Sequence, residues 1–195
     1  MPSIEKLLRN NKEIRSVGFD DSFFQKEHGS KVGVSGIVCS NASLEGMLYG
    51  YIEKDGDDAT DVLAEMLLTS KFYEYVQVVL LDGLTMGGFN VIDLPKLQEK
   101  TNKPCVAVMR KKPDMEAIRI ALNKVGNVDQ RFKILEKAGE FYENDRLVFQ
   151  VSGEVPDHVE KLLDRLCVKG NVPEPLRLAH VIGSAIQLGE SRGRA

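Results

Sequence analysis

Three acidic segments of this 195-residue chain are spaced to do chemistry together. The first, Asp20-Asp21, closes the apolar run Val17-Gly18-Phe19; the second, Asp82-Gly83, closes Val76-Gln77-Val78-Val79-Leu80-Leu81. The third is the run Glu53-Lys54-Asp55-Gly56-Asp57-Asp58, just ahead of a helix-like segment. In open α/β sheets ligands gather beyond the carboxyl ends of the strands, near a switch in strand order. If the first two segments end neighbouring parallel strands, Asp20 and Asp82 face each other there, and the third run could fold over the same end. Carboxylates gathered in a partly dry site repel, and each costs several kcal/mol (order of magnitude) to bury unpaired. A Mg²⁺ or Mn²⁺ ion removes that conflict, because it takes hard oxygen ligands. Such an ion can steady charge on a phosphoryl group and lower the pKa of an attacking water.

Plainer roles compete with these. Asp after a strand is a common turn former. Asp58 can cap the following helix, with Asp61 three residues on as a carboxylate variant of the capping box. Asp93 reads as a helix cap, being followed by Leu94-Pro95.

Other residues could serve a substrate. The loop after Asp82 carries Gly83, Gly87, Gly88 and Phe89; its glycines let backbone approach a nucleic acid or a phosphate, or simply make a turn. It lacks the GxxxxGK[ST] signature of an ATP-binding loop. Arg110-Lys111-Lys112 follows the fifth strand-like run and could meet a phosphate at the same sheet end, or form a solvated charge run. Tyr49 and Tyr51 alternate along one strand face, where a tyrosine packs or stacks on a base. Glu174, Arg177 and His180 open the last helix; the first two share a face as a surface pair, while a His or Glu near the acids could complete a second metal site or handle a proton. His28 and His158 sit in polar settings and carry no signal.

The elements that must position these groups can be read from periodicity. Residues 2–12 predict a short helix or loose arm. Strands are expected over 13–19, 31–40 and 44–52, joined by short connectors, which favours an antiparallel meander. From Asp58 the apolar positions Ala59, Val62, Leu63, Met66 and Leu67 fall on one helix face. Buried parallel strands follow at 76–81 and 104–109, with a short helix from Asp93 to Lys100 between them. A helix from Pro113 or Asp114 stops near Gly126. Beyond it come a helix over 129–138, a strand over 147–151, a helix over 156–167 and a last helix over 173–188. The core order is β-β-β-α-β-α-β-α: three antiparallel strands leading into parallel βαβ units of right-handed crossover, a mixed sheet flanked by helices. That α/β order is what a ribonuclease H-like domain shows. The length predicts one domain over 1–195, with a C-terminal helical extension from about 129.

Composition sets further bounds. With 43% hydrophobic and 28% charged residues the chain can build a real core. No run of 18 apolar residues predicts a membrane span, and the charged start is unlike a secretory signal. Cys39, Cys105 and Cys167, odd in number and set among apolar neighbours, read as small core residues in a reducing, cytoplasmic setting. Neither CxxC nor HExxH is present, which argues against structural zinc. A net charge of −3 is unlike a non-specific DNA coat protein, yet compatible with an enzyme that touches nucleic acid locally.

The segments VGFDDSFF, GYIEKDGDDATD, VVLLDGLTMGGFNVIDL, KPCVAVMRKKPD and PEPLRLAHVIG together resemble the endonuclease dU family, which is related to endonuclease V. The resemblance covers almost the whole chain, and DGLTMGGFNVIDL is its most specific piece. It implies a ribonuclease H-like fold, Mg²⁺ or Mn²⁺ as cofactor, and cleavage of DNA at or near a deaminated base, deoxyuridine in this branch. It implies metal ligation by Asp20, Asp82 and, before the first helix of the core, Asp58. Lys111, or Arg110 if the register slips by one, matches the basic residue after the fifth strand. His180 or Glu174 matches the last catalytic position. Gly83, Gly87, Gly88, Phe89, Tyr51, Arg110 and Arg177 would contact substrate. The chain departs from endonuclease V proper in carrying Asp57-Asp58 where that enzyme has Arg-Glu, and in its loop after Asp82-Gly83. Two other functions suit the same residues: a non-catalytic module that binds nucleic acid or protein, and a phosphohydrolase of small substrates. Metal-dependent turnover, and the loss of mononucleotide rather than DNA hydrolysis in Asp82→Ala, separate them.

Overall fold

The computed structural model describes residues 3–22 and 30–191. His28 and the end of the VGFDDSFF segment lie outside the described residues.

The chain opens with helix α1 (Ile4–Arg9), whose N-cap Ser3 accepts a hydrogen bond from the Lys6 amide. Then come β1 (Arg15–Asp21), β2 (Lys31–Ser40) and β3 (Ser43–Glu53), the expected antiparallel meander. Helix α2 (Ala59–Leu68) leads to β4 (Val78–Asp82). The glycine-rich loop folds back on itself as a miniature hairpin of β5 (Thr85–Met86) and β6 (Asn90–Val91), which the sequence pattern does not signal. After it come α3 (Leu94–Thr101), β7 (Cys105–Met109), α4 (Met115–Leu122) and α5 (Val128–Lys137). The chain closes with β8 (Tyr142–Glu143), β9 (Val148–Ser152), α6 (Pro156–Leu166) and α7 (Glu174–Leu188).

Among the described residues, seven strands form one sheet in the order β3-β2-β1-β4-β7-β9-β8. β4 runs parallel to both β1 and β7, while β9 returns antiparallel to β7, so residues beyond 129 extend the sheet itself. The sheet is thus mixed, with its parallel strands at the centre. There β4 and β7 are apolar at every buried position, because helices cover both of their faces. Val79 and Leu81 face a core shared with Leu63, Leu67 and Leu97 of α2 and α3. Val78 and Leu80 face the opposite core, built with Ile4 and Leu7 of α1 and with α6. In α6 the buried positions Val159, Leu162, Leu163 and Leu166 fall at i, i+3, i+4 and i+7, one stripe of a helix.

The cap expected at Asp93 forms, its carboxylate accepting from the Lys96 amide at 3.1 Å, and Asp114 caps α4 in the same way, accepting from Glu116 and Ala117 at 3.0 Å each. The capping box at α2 does not form; Asp61 pairs with Lys96 and Lys100 at 2.9 and 2.8 Å instead. Cys39 and Cys105 are buried as expected, whereas Cys167 is only partly covered. Among the described residues no helix is long and apolar enough to cross a membrane.

Candidate active site

β1 runs two residues further than its apolar pattern suggests, because β2 pairs with it as far as Asp21 opposite Val34. Asp20 and Asp21 are therefore strand residues, and successive strand residues point to opposite faces. On the parallel side Phe19 pairs with Leu81, which puts Asp20 and Asp82 at the next register step on the same face. Asp20 is only 4% exposed. Burial, and then the charge of Asp20, push the Asp82 carboxyl up to about 6; Arg110 and His180 oppose the rise. The expected meeting of these two carboxylates at the carboxyl end of the sheet is what the structure shows.

His180 is brought to Asp20 by α7, which crosses β1 and β2. A side chain at Gly18 would lie 2.6 Å from the Pro175 backbone, so only glycine permits the helix to start this close to the sheet. Ser35 on β2 donates to the Ala179 carbonyl at 2.7 Å and fixes the helix in rotation. His180 Nδ1 then lies 3.0 Å from Asp20 Oδ2. The other ring nitrogen, Nε2, is enclosed by protein. That geometry suits orienting Asp20 better than exchanging protons with solvent.

On the opposite face Asp21 accepts from the Gly87 amide at 2.5 Å. Burial and the neighbouring Asp20 nonetheless raise its carboxyl to about 7. The loop that supplies Gly87 is tied down by Asp55. The Asp55 amide donates to the Gly87 carbonyl at 2.8 Å, and Asp55 Oδ1 accepts from Phe89 at 2.9 Å. Gly88 has φ +86°, and a side chain there would sit 2.3 Å from Asp55 Oδ1.

Of the remaining residues singled out by sequence, Arg110 acts on this pair and the others are engaged elsewhere. Asp58 uses its carboxylate to accept from the Glu53 amide at 3.1 Å and from Asn90 Nδ2 at 2.6 Å. The first amide of α2, that of Ala59, is capped by Asn90 Oδ1 at 3.0 Å. The acidic run is further anchored by the buried Arg131, which donates to Asp57 at 3.2 Å and to the carbonyls of Asp55 and Gly56. Arg110 is the residue of the basic trio whose charge acts on Asp82, while Lys111 and Lys112 are exposed beyond it. Tyr51 lies on β3, the outermost strand at that edge of the sheet, and is 54% exposed. Phe89 packs against the core under α2. Glu174 and Arg177 form a bidentate pair of 2.6 and 2.7 Å within α7.

Asp21, Asp55, Asn90 and Arg131 belong to the site's frame and escape sequence reasoning. The doubling Asp20-Asp21 is the one signal that could have found Asp21, since two acids at a strand end must serve two faces.

Among the described residues no three His, Cys, Asp or Glu side chains are spaced to hold a metal ion by themselves. The donors that do converge, Asp20 and Asp82, are hard oxygens on rigid strands; burial, and then the charge of Asp20, raise the Asp82 pKa. Mg²⁺ is commonly held by one or two carboxylates, with waters and substrate phosphates completing its octahedron. The donor set fits that pattern.

The family described as Endonuclease dU has a sequence model that matches residues 12–187. A UPF0215 protein of Archaeoglobus fulgidus is 43% identical over 184 residues, 94% of this chain and 99% of that one. A crystal structure of a protein of unknown function from the same organism superposes with a TM-score of 0.84 at 42% identity, over 89% of this chain and 98% of the other. The catalytic domain of human endonuclease V superposes with a TM-score of 0.64 at 17% identity, over 97% and 89%. Endonuclease V of Ciona intestinalis, solved with a 24mer DNA containing an inosine followed by a ribo-adenosine, gives 0.60 at 16%, over 95% and 94%. These last two likenesses carry the fold, which is the ribonuclease H-like fold expected from the order of elements.

Proposed function

This chain belongs to the endonuclease dU family, and on that premise we propose that it is a divalent-metal-dependent endonuclease that cuts DNA at or near a deaminated base, deoxyuridine foremost. One observation carries the reading: Asp20 and Asp82 meet at the carboxyl end of β1 and β4, with Asp82 raised to about 6 by burial and by Asp20. Two neighbouring carboxylates shielded from water are unfavourable alone and become favourable around a cation.

Asp20 and Asp82 would hold Mg²⁺ or Mn²⁺, which when bound supplies charge to a phosphoryl oxygen and acidifies a coordinated water. His180, with Nδ1 3.0 Å from Asp20 Oδ2, would hold that carboxylate in place. Arg110 stands beyond the end of β7, where its guanidinium can take two oxygens of a phosphate in a fork. Lys111 and Lys112 extend the positive edge, a local patch on a chain of net charge −3. Gly83, with positive φ and open space where a side chain would stand, lets a nucleotide approach the backbone beside Asp82. A deaminated base in a mismatched pair unstacks more easily than a paired one, which favours its selection. The inosine-containing DNA bound by the Ciona enzyme supports the same substrate class.

The test is cleavage of a labelled duplex bearing a single deoxyuridine or deoxyinosine, with Mg²⁺ or Mn²⁺, beside Asp82→Ala. Cutting that needs both the metal and Asp82 supports the reading. A folded protein that cuts neither duplex overturns it.

A further inference from the structure

Beside Asp82-Gly83 lies a small cavity of about 150 Å³. Its walls are almost wholly apolar and include Met109, Met115, Ile118, Leu135 and Phe141. A dry cavity of that size lined by Leu, Ile and Phe takes up a benzene ring, so a six-membered ring matches its capacity. Methionines in the wall adapt to a planar guest. The Lys112 ammonium stands 5.5 Å from the Phe141 ring centroid, which brings the basic trio to this wall.

Thr85 and Gln150 are the polar side chains of the lining, and Gln150 is the one with a buried, unmet atom. Gln150, 1% exposed, sits on β9 opposite Ala107 of β7. Its Nε2 donates to the Gly139 carbonyl at 2.8 Å. A carbonyl can only accept, so this bond fixes which way the amide faces and leaves Oε1 as the remaining polar atom. Oε1 is buried and has no hydrogen-bond partner among the described residues. An unmet acceptor in an apolar wall is destabilising until something donates to it.

We propose that Gln150 is a specificity-determining residue: its Oε1 reads a base turned out of the duplex into this cavity by accepting the ring N–H that deamination creates. The proposal rests on the nuclease reading above and names what that site selects. Cytosine N3 and adenine N1 carry a lone pair. When their exocyclic amines are replaced by oxygen, the same ring nitrogens, in uracil and hypoxanthine, carry a hydrogen. A fixed acceptor facing that nitrogen therefore attracts the deaminated base and repels its parent. Sites built to pair a buried polar group discriminate strongly against a ligand that leaves it unpaired. Thymine and guanine also present a ring N–H, but they lie in matched pairs that cost more to open.

The experiment is metal-free binding of the full chain to otherwise identical duplexes carrying one central deoxyuridine, 3-methyl-deoxyuridine or deoxycytidine, read by fluorescence anisotropy. The wild type is expected to bind the deoxyuridine duplex at least tenfold more tightly than the other two. Gln150→Met, which keeps volume and removes the acceptor, is expected to bind all three alike, with an unchanged circular dichroism spectrum. Ile118→Phe, which fills the cavity from another wall and leaves Gln150 intact, is expected to lose the preference as well. Equal binding of deoxyuridine and its 3-methyl derivative by the wild type, or a preference that survives in Gln150→Met, overturns the proposal. The nuclease reading is judged apart, by metal-dependent cutting. A protein that cuts but whose preference ignores Gln150 loses only this inference. One that discriminates through Gln150 but never cuts loses only the catalytic assignment.

Discussion

His180 Nδ1 lies 3.0 Å from Asp20 Oδ2, although 160 residues separate them in the chain. The contact joins the last helix to the first strand and, with Nδ1 protonated, gives Asp20 a donor. Hydrogen bonds to charged groups are worth about 1.5–3 kcal/mol, and each 1.4 kcal/mol is about tenfold in rate. His180→Ala is therefore expected to slow cutting by about ten- to a hundredfold at saturating metal. Single-turnover rates on a deoxyuridine duplex, measured beside thermal melting, check this. An unaltered rate in a stable variant would reduce His180 to packing.

The carboxyl cluster predicts how stability depends on pH. Asp21 and Asp82 have folded values of about 7 and about 6, both above the ordinary 3.8, with burial as the first cause. A carboxyl raised on folding contributes stability that is fully present below its unfolded pKa and lost as pH rises through the folded one. The metal-free protein should thus lose stability steadily between about pH 4 and pH 7. Urea unfolding in chelator at pH 5 and pH 8 measures it. Asp82→Asn should flatten that slope and be more stable than the wild type at pH 8, while losing cutting altogether. Greater stability at pH 8 than at pH 5 in the wild type would contradict the burial of these acids.

A divalent cation should reverse the sign. It binds deprotonated carboxylates, so protons compete with it, and ligand that binds only the folded state stabilises by mass action. Mn²⁺ is expected to raise the melting temperature more at pH 8 than at pH 5, and not at all in Asp20→Asn/Asp82→Asn. A rise that persists in the double variant would place the cation elsewhere.

The sheet order and the Asp20–Asp82 meeting were legible because both follow from local pattern: apolar runs, turn residues and a parallel register that aligns two strand ends. What escaped depends on side chains crossing the fold. Asp58 stands where a ligand or a cap is expected, yet the cap of α2 comes from Asn90, 31 residues away, and Asp58 turns back to Glu53. No spacing rule reports that exchange. Arg131 looks like an exposed helix arginine in sequence and is 3% exposed, because it closes over the carbonyls of the acidic run. Gln150 reads as an ordinary strand residue until its face is known.

Asp58 offers a direct contrast between a structural and a ligating role. Asp58→Asn keeps an oxygen for the Glu53 amide but sets a side-chain amide against Asn90 Nδ2. Loss of one buried partner costs about 1–3 kcal/mol. The variant is expected to unfold at lower urea by that amount and to keep metal-dependent cutting within about tenfold at low temperature. Cutting abolished with stability intact would restore Asp58 to the metal.

The glycine-rich loop is tested by comparing two glycines of similar backbone. Gly88 and Gly126 have φ of +86° and +92°, but a side chain at Gly88 would meet Asp55 Oδ1 at 2.3 Å, while one at Gly126 would meet nothing within 4 Å among the described residues. Alanine at either position bears the strain of positive φ, about 1 kcal/mol. Gly88→Ala must also displace Asp55, which releases the Phe89 amide and loosens the loop that presents Gly87 to Asp21. It is expected to cost about 1–3 kcal/mol more than Gly126→Ala, in the range of a broken buried hydrogen-bond network. Because Gly87 opposes the rise of the Asp21 pKa, Gly88→Ala should also raise the pH at which the protein loses stability. Urea unfolding of both variants from pH 5 to pH 8 measures the two effects together. Equal costs and superimposable pH profiles would show that Asp55 does not couple this loop to the carboxylates.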